Sequence, residues 1–470
     1  MTNVLTRFFS TKYMVKERDR LGDIPTSKEG YKRAINMAWP SIVEAVLMAM
    51  VNLVDTLMVS GLGEEAVAAV GIVGQPRMIV LSLIFSLNSG VIAVVARRKG
   101  QGDRDGANRC LKQCMMVCGL ISITLATICT IFSEPLMRFA GANDDYLQDA
   151  MTYFRVIMLG IFFNAMSLTI NAAQRGAGNT KISMRSNMTA NIVNIILNYF
   201  LINGHWFFPK WGVFGAAVAT SAGYVVAFCM SLYSVCHKSE NSFLSIFSDA
   251  KWRWDKPTMG AVIKVSSGAI VEQLFMRVGF FSYAKIVAGL GTLAFATHQV
   301  CMNVMTISFG VGDGFNIASS ALVGQSLGQK RPDLARLYAS INQRMAVVCS
   351  TVLAILLIIF RYQILGLFSD EAEVILNGGV LLIMIACVTH AQTSQVIISG
   401  SLRGAGDTKF VAMCSAWSIG LIRPILAWAL AYPLGLGLIG AWLSMLVDQY
   451  LRLFLFFRRF KGGEWTKIKL

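Results

Sequence analysis

The octapeptide QRGAGNTK (Gln174–Lys181) is written a second time, with two changes, as LRGAGDTK (Leu402–Lys409). Its two arginines stand 403 − 175 = 228 residues apart in a chain of 470. The same offset recurs elsewhere. IVE ends at Glu44 and again at Glu272, and GLG at Gly61–Gly63 returns at Gly289–Gly291. Gly100-Gln101 returns as Gly328-Gln329, and Ala107 as Ala335. WGVFGAA around Gly212 and Gly215 meets LGLIGAW around Gly437 and Gly440 at 437 − 212 = 225, so three residues were lost or gained between. The chain is a tandem duplication, and its fold is one that a half-length unit satisfies twice.

The solvent of that unit is lipid. Charged residues are 14% of the chain, against roughly 25% in soluble domains. Apolar runs such as Leu120–Phe132, Ala346–Phe360 and Leu376–Cys387, with their uncharged flanks, exceed the ~18 residues that suggest a membrane helix. Twelve spans are predicted, six per repeat: 34–60, 68–96, 112–133, 148–173, 183–203, 212–236, 259–288, 293–326, 340–361, 374–401, 410–434 and 438–458. They are long continuous runs rather than ten-residue alternations, so they read as helices and not barrel strands.

The net charge of +16 is distributed by side. Arg7 to Arg33 precede the first span; Arg97, Arg98, Lys99, Arg104, Arg109 and Lys112 follow the second. Arg175 and Lys181 follow the fourth, and Lys238, Lys251 and Arg253 the sixth; Lys330, Arg331, Arg403, Lys409 and Arg458–Lys469 continue the pattern. The alternate loops hold only Arg138, Lys210 and Arg361, with acids at Glu64, Glu65, Asp144, Asp145, Asp370 and Glu371. Such positive-inside asymmetry excludes a nucleic-acid reading and places both termini, and both RGAG turns, in the cytoplasm. Residues 1–33 lack the apolar core of a cleavable signal peptide. The expected fold is an all-α polytopic membrane protein, with twelve transmembrane helices in two six-helix lobes. An even number of spans per repeat relates the lobes by a pseudo-two-fold along the membrane normal. The expected organisation is a cytoplasmic segment 1–33, an N-lobe 34–236, a linker 237–258, a C-lobe 259–460 and a cytoplasmic tail 461–470. In the linker, FLSIF and WRW read either as an interfacial amphipathic segment or as a cytosolic loop.

Several chemistries are excluded by absence. GQSLGQK (Gly324–Lys330) lacks the spacing of a phosphate-binding loop, and no soluble nucleotide-binding domain fits between the spans. Transport would therefore run on an ion gradient, with no cofactor. Four scattered histidines argue against a membrane enzyme. Cys110, Cys114 and Cys118 share one helical face, which suits packing or a lipid-facing stripe better than a soft-metal site. His298 and His390 lie near membrane depth as packed polar groups or proton relays.

Acids inside spans are a stronger signal, since a charge at the bilayer centre costs ~2.5–3.5 kcal/mol on insertion scales. Asp55 lies deep in the first span; Glu44 lies earlier in it, and Glu272 is its repeat mate in the seventh. Glu272 is functional or paired with Arg277 or Lys285; Glu44 is functional, a cap or a snorkelling group. Asp313, Asp448 and Arg423 read as structural. In span five, Asn191, Asn194 and Asn198 form one stripe. Amides there either bond across helices or join a carboxylate and a hydroxyl, such as that of Thr220, as hard-oxygen ligands for a small cation.

These residues resemble the multidrug and toxic compound extrusion family. The resemblance rests on DTLMVSGLG, QRGAGNTK, NIVNIILNYFLING, GVFGAAVAT, IVEQL and SLRGAGDTK and covers about 30–460. It implies a V-shaped pair of lobes that exports amphipathic, often cationic, organic compounds across the plasma membrane in exchange for Na+ or H+. It implies a cation site of Asp55, Asn194, Asn198 and Thr220; position 198 is Asp in one branch of the family. Glu272 resembles the span-seven acid of some branches, but their span-ten acid is here Gln392. That departure weakens a C-lobe acid pair and shifts the expected coupling site to Asp55, leaving Glu272, Glu44 and Gln392 for substrate binding or coupling. A monomer is expected, with the bilayer, small-molecule substrates and the coupling cation as its partners. The rival reading is a flippase or exporter of a lipid-linked or other amphiphilic metabolite. It requires clustered Arg or Lys for phosphates, whereas Arg77, Arg155, Arg277 and Arg423 are scattered in sequence.

Overall fold

The computed structural model describes residues 7–204, 206, 209–237, 243–248, 254–368 and 371–468. Every regular element among them is helical. Twelve long helices follow in order. The first repeat holds α1 (Ser27–Ser60), α2 (Glu64–Gln101), α3 (Arg104–Ile131), α4 (Asp144–Gly176), α5 (Thr180–Asn203) and α6 (Gly212–Cys236). The second holds α7 (Lys256–Ala288), α8 (Thr292–Gly328), α9 (Pro332–Ile359), α10 (Ala372–Ala405), α11 (Thr408–Ala431) and α12 (Gly437–Gly462). Helix starts obey the repeat: 332 − 104, 372 − 144 and 408 − 180 are each 228, and 437 − 212 is 225. Ten of the twelve are long and apolar enough to cross a membrane. The others are α5, diluted by its asparagines, and α8, which carries His298, Asn303, Asp313 and Asn316.

The RGAG turns show why the octapeptide was kept twice. A Cβ on Gly176 would lie 2.8 Å from the Ile92 carbonyl oxygen of α2, and Gly404 packs in the same way on that of Ser320 in α8, where 320 − 92 = 228. The first glycine thus lets two helices touch through backbone. The second glycine ends the helix in the left-handed region, at φ 91° for Gly178 and 92° for Gly406. The turns close alike: the N–H of Asn179 reaches Gln174 O, and that of Asp407 reaches Leu402 O, each at 2.8 Å.

Contacts divide the chain into two compact units, Val46–Ile263 and Met1–Ala45 with Lys264–Leu470. The division passes through α1 and, at Ile263/Lys264, through the start of α7, so the linker stays with the first unit. The first half of α1 belongs with the second repeat because α8 makes room for it. Gly310 and Gly314 lie one turn apart and face Ala45 and Ile42 of α1. Arg33 Nη2 then reaches Gln325 Oε1 at 3.1 Å, and Leu21 N reaches Asp333 Oδ2 at 3.2 Å.

Within Val46–Ile263 the core is built on α2, α3 and α4, and Cys110, Cys114 and Cys118 are fully buried in it. Their role is packing. FLSIF (Phe243–Phe247) is non-helical and docked on the start of α3: Ser245 N donates to Asn108 Oδ1 at 2.9 Å, and Lys112 Nζ to Ser248 O at 3.0 Å. Lys238, Lys251, Trp252, Arg253, Asp370 and Lys469 lie outside the described residues.

In the other unit, α11 widens into a π-helical turn over Ala416–Ile422. Pro424 follows and has no N–H to give to the turn before it; Arg423 N bonds back to Ser418 O. The turn presents Ser418 and Arg423 to Asp448 of α12, which also accepts from Arg452 Nη2 at 3.1 Å. Asp448, Arg423 and Arg452 are all buried, as the structural reading of Asp448 and Arg423 expects.

Replacing Gly176 or Gly404 by Ala is expected to destabilise the protein by about 1–3 kcal/mol through overpacking. For Gly178→Ala or Gly406→Ala the expected loss is about 1–2 kcal/mol, from the left-handed backbone. Thermal unfolding of the detergent-solubilised chain measures both; parental stability in Gly404→Ala would show that the α8–α10 contact is not tight.

Candidate cation site and the buried ion pairs

Five helices of the Val46–Ile263 unit, α1, α2, α4, α5 and α6, line the cavity at Asp55. α1 carries it half-buried, and α5 presents Asn198 and Asn194, which are 2% and 6% exposed. Asn198 Nδ2 donates to Asp55 Oδ1 at 2.8 Å and lies 3.5 Å from Asn194 Oδ1. In one orientation of its amide, Asn194 donates Nδ2 to Thr220 Oγ1 of α6 at 3.3 Å. Turned over, it donates to the two Asp55 oxygens at 3.0 and 3.2 Å and accepts from Thr220 N at 3.2 Å. The second orientation gives both ends of the amide a partner. The predicted set of Asp55, Asn194, Asn198 and Thr220 is thus brought together, around a cavity of about 410 Å³.

The chemistry follows from what an amide is. It offers N–H donors at one end and a carbonyl oxygen at the other, so it serves a bare carboxylate in one orientation and a cation beside that carboxylate in the other. Asn198 Oδ1 is already buried and accepts no hydrogen bond. A buried carbonyl oxygen without a donor is costly, and a small cation would satisfy it. The available oxygens are the Asp55 carboxylate, the two amide carbonyls and Thr220 Oγ1, a hard-ligand set.

Sequence reasoning missed Arg77 of α2, which lines the same cavity with Tyr153 and Tyr224. Its guanidinium lies 5.9 Å from the Tyr224 ring centroid. Among the described residues no ion pair within 4.0 Å closes on Asp55. A signal was present, since an arginine inside an apolar span is as costly as an aspartate; its nearness to Asp55 was not legible.

Glu272, Glu44 and Gln392 lie in the other unit. Glu272 pairs neither with Arg277 nor with Lys285. Its partner is Arg403 of the second RGAG turn, whose Nη2 reaches Oε1 at 2.6 Å, and Ser415 Oγ donates to the same oxygen at 3.1 Å. Glu44 is buried. Gln392 is 1% exposed, and both polar atoms of its side chain make no hydrogen bond. His298 packs against the rings of Tyr283 and Trp442, each at 5.6 Å, and His390 Nε2 lies 2.9 Å from Thr351 Oγ1.

Twelve long helices in two sequence-repeated halves, with a carboxylate–amide cavity inside the first, define a polytopic membrane transport protein. The MatE family matches residues 40–200 and 269–429, one copy per half, and the chain belongs to that family. It is 26% identical over 437 residues to the uncharacterized transporter YisQ of Bacillus subtilis, covering 92% of this chain and 94% of that one. It is 27% identical over 436 residues to the probable multidrug resistance protein NorM of Rhizobium meliloti, covering 89% and 90%. A solved structure described as an outward-facing multidrug resistance MATE family transporter of the MOP superfamily superposes with a TM-score of 0.87 at 20% identity, covering 93% of this chain and 97% of that one. The likeness supports the fold.

The Glu272–Arg403 pair invites a double-mutant cycle. Glu272→Gln is expected to cost about 1–3 kcal/mol of thermal stability, below the ~3–5 kcal/mol of a fully buried pair, because a quarter of the Arg403 side chain is exposed. Glu272→Gln combined with Arg403→Gln should recover part of that loss; strictly additive losses would show that the two charges do not interact.

Proposed function

We propose that this chain is a secondary active multidrug exporter that exchanges Na+ or H+ for amphipathic, often cationic, organic compounds by alternating access. The observation that carries this reading is Asp55: a carboxylate in a membrane helix, held by neutral amides and bordering a cavity, so that a cation has somewhere to bind and leave. The relatives named as multidrug resistance proteins support the substrate class. The positive-inside pattern supports cytoplasmic termini, and the family resemblance supports the plasma membrane.

The mechanism follows from charge. With Asp55 ionised and Arg77 charged, the two formal charges lining the cavity cancel. A bound proton or Na+ raises their sum by one, which disfavours a cationic drug in reach of the same field. The cation therefore lowers drug affinity through direct competition and through repacking of α1, α5 and α6. A ligand shifts the transporter only by its differential affinity for two states, and each imported charge contributes ~2.3 kcal/mol per 100 mV. We assign Glu272, Glu44 and Gln392 to substrate handling; the unpartnered Gln392 amide supports a polar contact there. A carrier of lipid-linked phosphates would need several basic groups, and Arg77 is the one Lys or Arg among the residues that line this cavity.

In proteoliposomes with separate Na+ and H+ gradients, Asp55→Asn is expected to abolish coupled efflux, and full retention would remove Asp55 from the mechanism. Arg77→Gln should raise the apparent cation affinity several-fold by removing a like charge. Glu272→Gln should weaken drug transport while leaving some coupling; loss of coupling from that change alone would transfer the coupling role to the other unit.

A further inference from the structure

A second cavity, of about 680 Å³, lies on the flank of α9 between α10, α12 and the start of the chain. Its walls are apolar and aromatic, with Val347, Phe454 and Phe457 along its length. One end is different. There Arg344 and Gln343 enter the cavity, with Arg344 Nη1 and Gln343 Oε1 both buried and making no hydrogen bond. The Arg344 guanidinium lies 4.6 Å from the ring centroid of Phe8, and among the described residues no carboxylate forms an ion pair with it. A cation–π contact does not occupy N–H donors, and a guanidinium presents five of them in a fork that fits a phosphate bidentately.

The place of Arg344 along its helix identifies the ligand. It is the last charged residue before the charge-free run Met345–Ile359, so it stands where hydrocarbon gives way to headgroup. This is the end of α9 that carries the basic clusters. The feature is absent from the first repeat, where 344 − 228 = 116 is Met116, an exposed apolar side chain. A scaffold need common to both halves therefore does not explain it.

We infer that this groove is a binding site for one anionic phospholipid. Its phosphate is held by the Arg344 guanidinium, the Gln343 carbonyl oxygen is left to accept from a headgroup hydroxyl, and an acyl chain lies along Val347, Phe454 and Phe457. Charge complementarity selects the headgroup: a zwitterionic lipid brings its own cation to a site that already has one. Basic pockets between transmembrane helices on the cytoplasmic side are suited to such headgroups. Phe8 covers the guanidinium from the N-terminal segment, so lipid occupancy and the seating of that segment share one contact.

The test is native mass spectrometry of the full-length protein in detergent, incubated with dimyristoylphosphatidylglycerol or dimyristoylphosphatidylcholine. One phosphatidylglycerol is expected to be retained in preference to phosphatidylcholine. Arg344→Gln should reduce that retained population at least fivefold. Arg361→Gln, at the other end of α9 and stacked on Tyr362, should leave it unchanged. Phe8→Asp places a carboxylate over an intact Arg344 and should give a similar loss, which decides the matter if Arg344→Gln does not fold. Equal retention of the two lipids, or phosphatidylglycerol retention untouched by both variants, overturns the assignment. Displacement of the lipid by inorganic phosphate also overturns it, in favour of a free-phosphate site.

Discussion

A carboxylate inside a membrane helix needs either a counter-charge or hydrogen-bond donors, and this chain uses both solutions in different places. Asp448 takes three partners, Arg423, Arg452 and Ser418, and Glu272 takes Arg403 and Ser415. Such pairs are self-contained; breaking one leaves a buried charge behind, so they hold helices in register. Asp55 is different, because its partners are amides. Neutral donors stabilise the carboxylate without cancelling it, and the same side chains can turn a carbonyl toward an arriving ion. The contrast between a permanent partner and a reversible one separates Asp448 and Glu272, whose charges are paired, from Asp55, the candidate coupling acid.

The duplicated scaffold makes this contrast sharper. Helix starts, RGAG turns and close glycine contacts repeat at an offset of 228. The polar interior does not. The counterparts of Asp55, Asn194, Asn198 and Thr220 in the second half are Tyr283, Ile422, Leu426 and Met445. The counterparts of Arg423, Asp448 and Arg452 in the first half are Ile195, Gly223 and Ala227. Turns and close approaches answer to backbone geometry, which both copies share. Buried charge is costly wherever it stands, and apart from the repeat mates Glu44 and Glu272 these groups are placed in one half only.

The helix α1 joins these themes. Its first half packs on α8, where Gly310 and Gly314 make room, while its second half carries Asp55 in the other unit. Glu44 and Asp55 are less than four turns apart on one helix and belong to different bodies. A change at Asp55 therefore acts on a helix whose two halves pack in different units.

Much of this was legible in the one-dimensional string. Twelve spans, the duplication, the polar stripe of α5 and the oddity of Asp55 follow from hydropathy, an offset and the price of charge in lipid, all of which are local or periodic quantities. Beyond the amide set that the family resemblance implied for Asp55, the partners of those residues were not legible. Glu272 binds Arg403, 131 residues away, rather than the nearby Arg277 or Lys285, and Arg77 faces the Asp55 cavity although nothing in its neighbourhood says so. Periodicity tells which face of a helix is polar. It does not tell which helix that face meets, because that is set by where glycines permit backbone contact and by which side chains fill the space between. Tertiary packing alone made those choices: it brought Arg77 to the Asp55 cavity, placed Arg344 in a groove, and drew the boundary between the two units through the middle of α1.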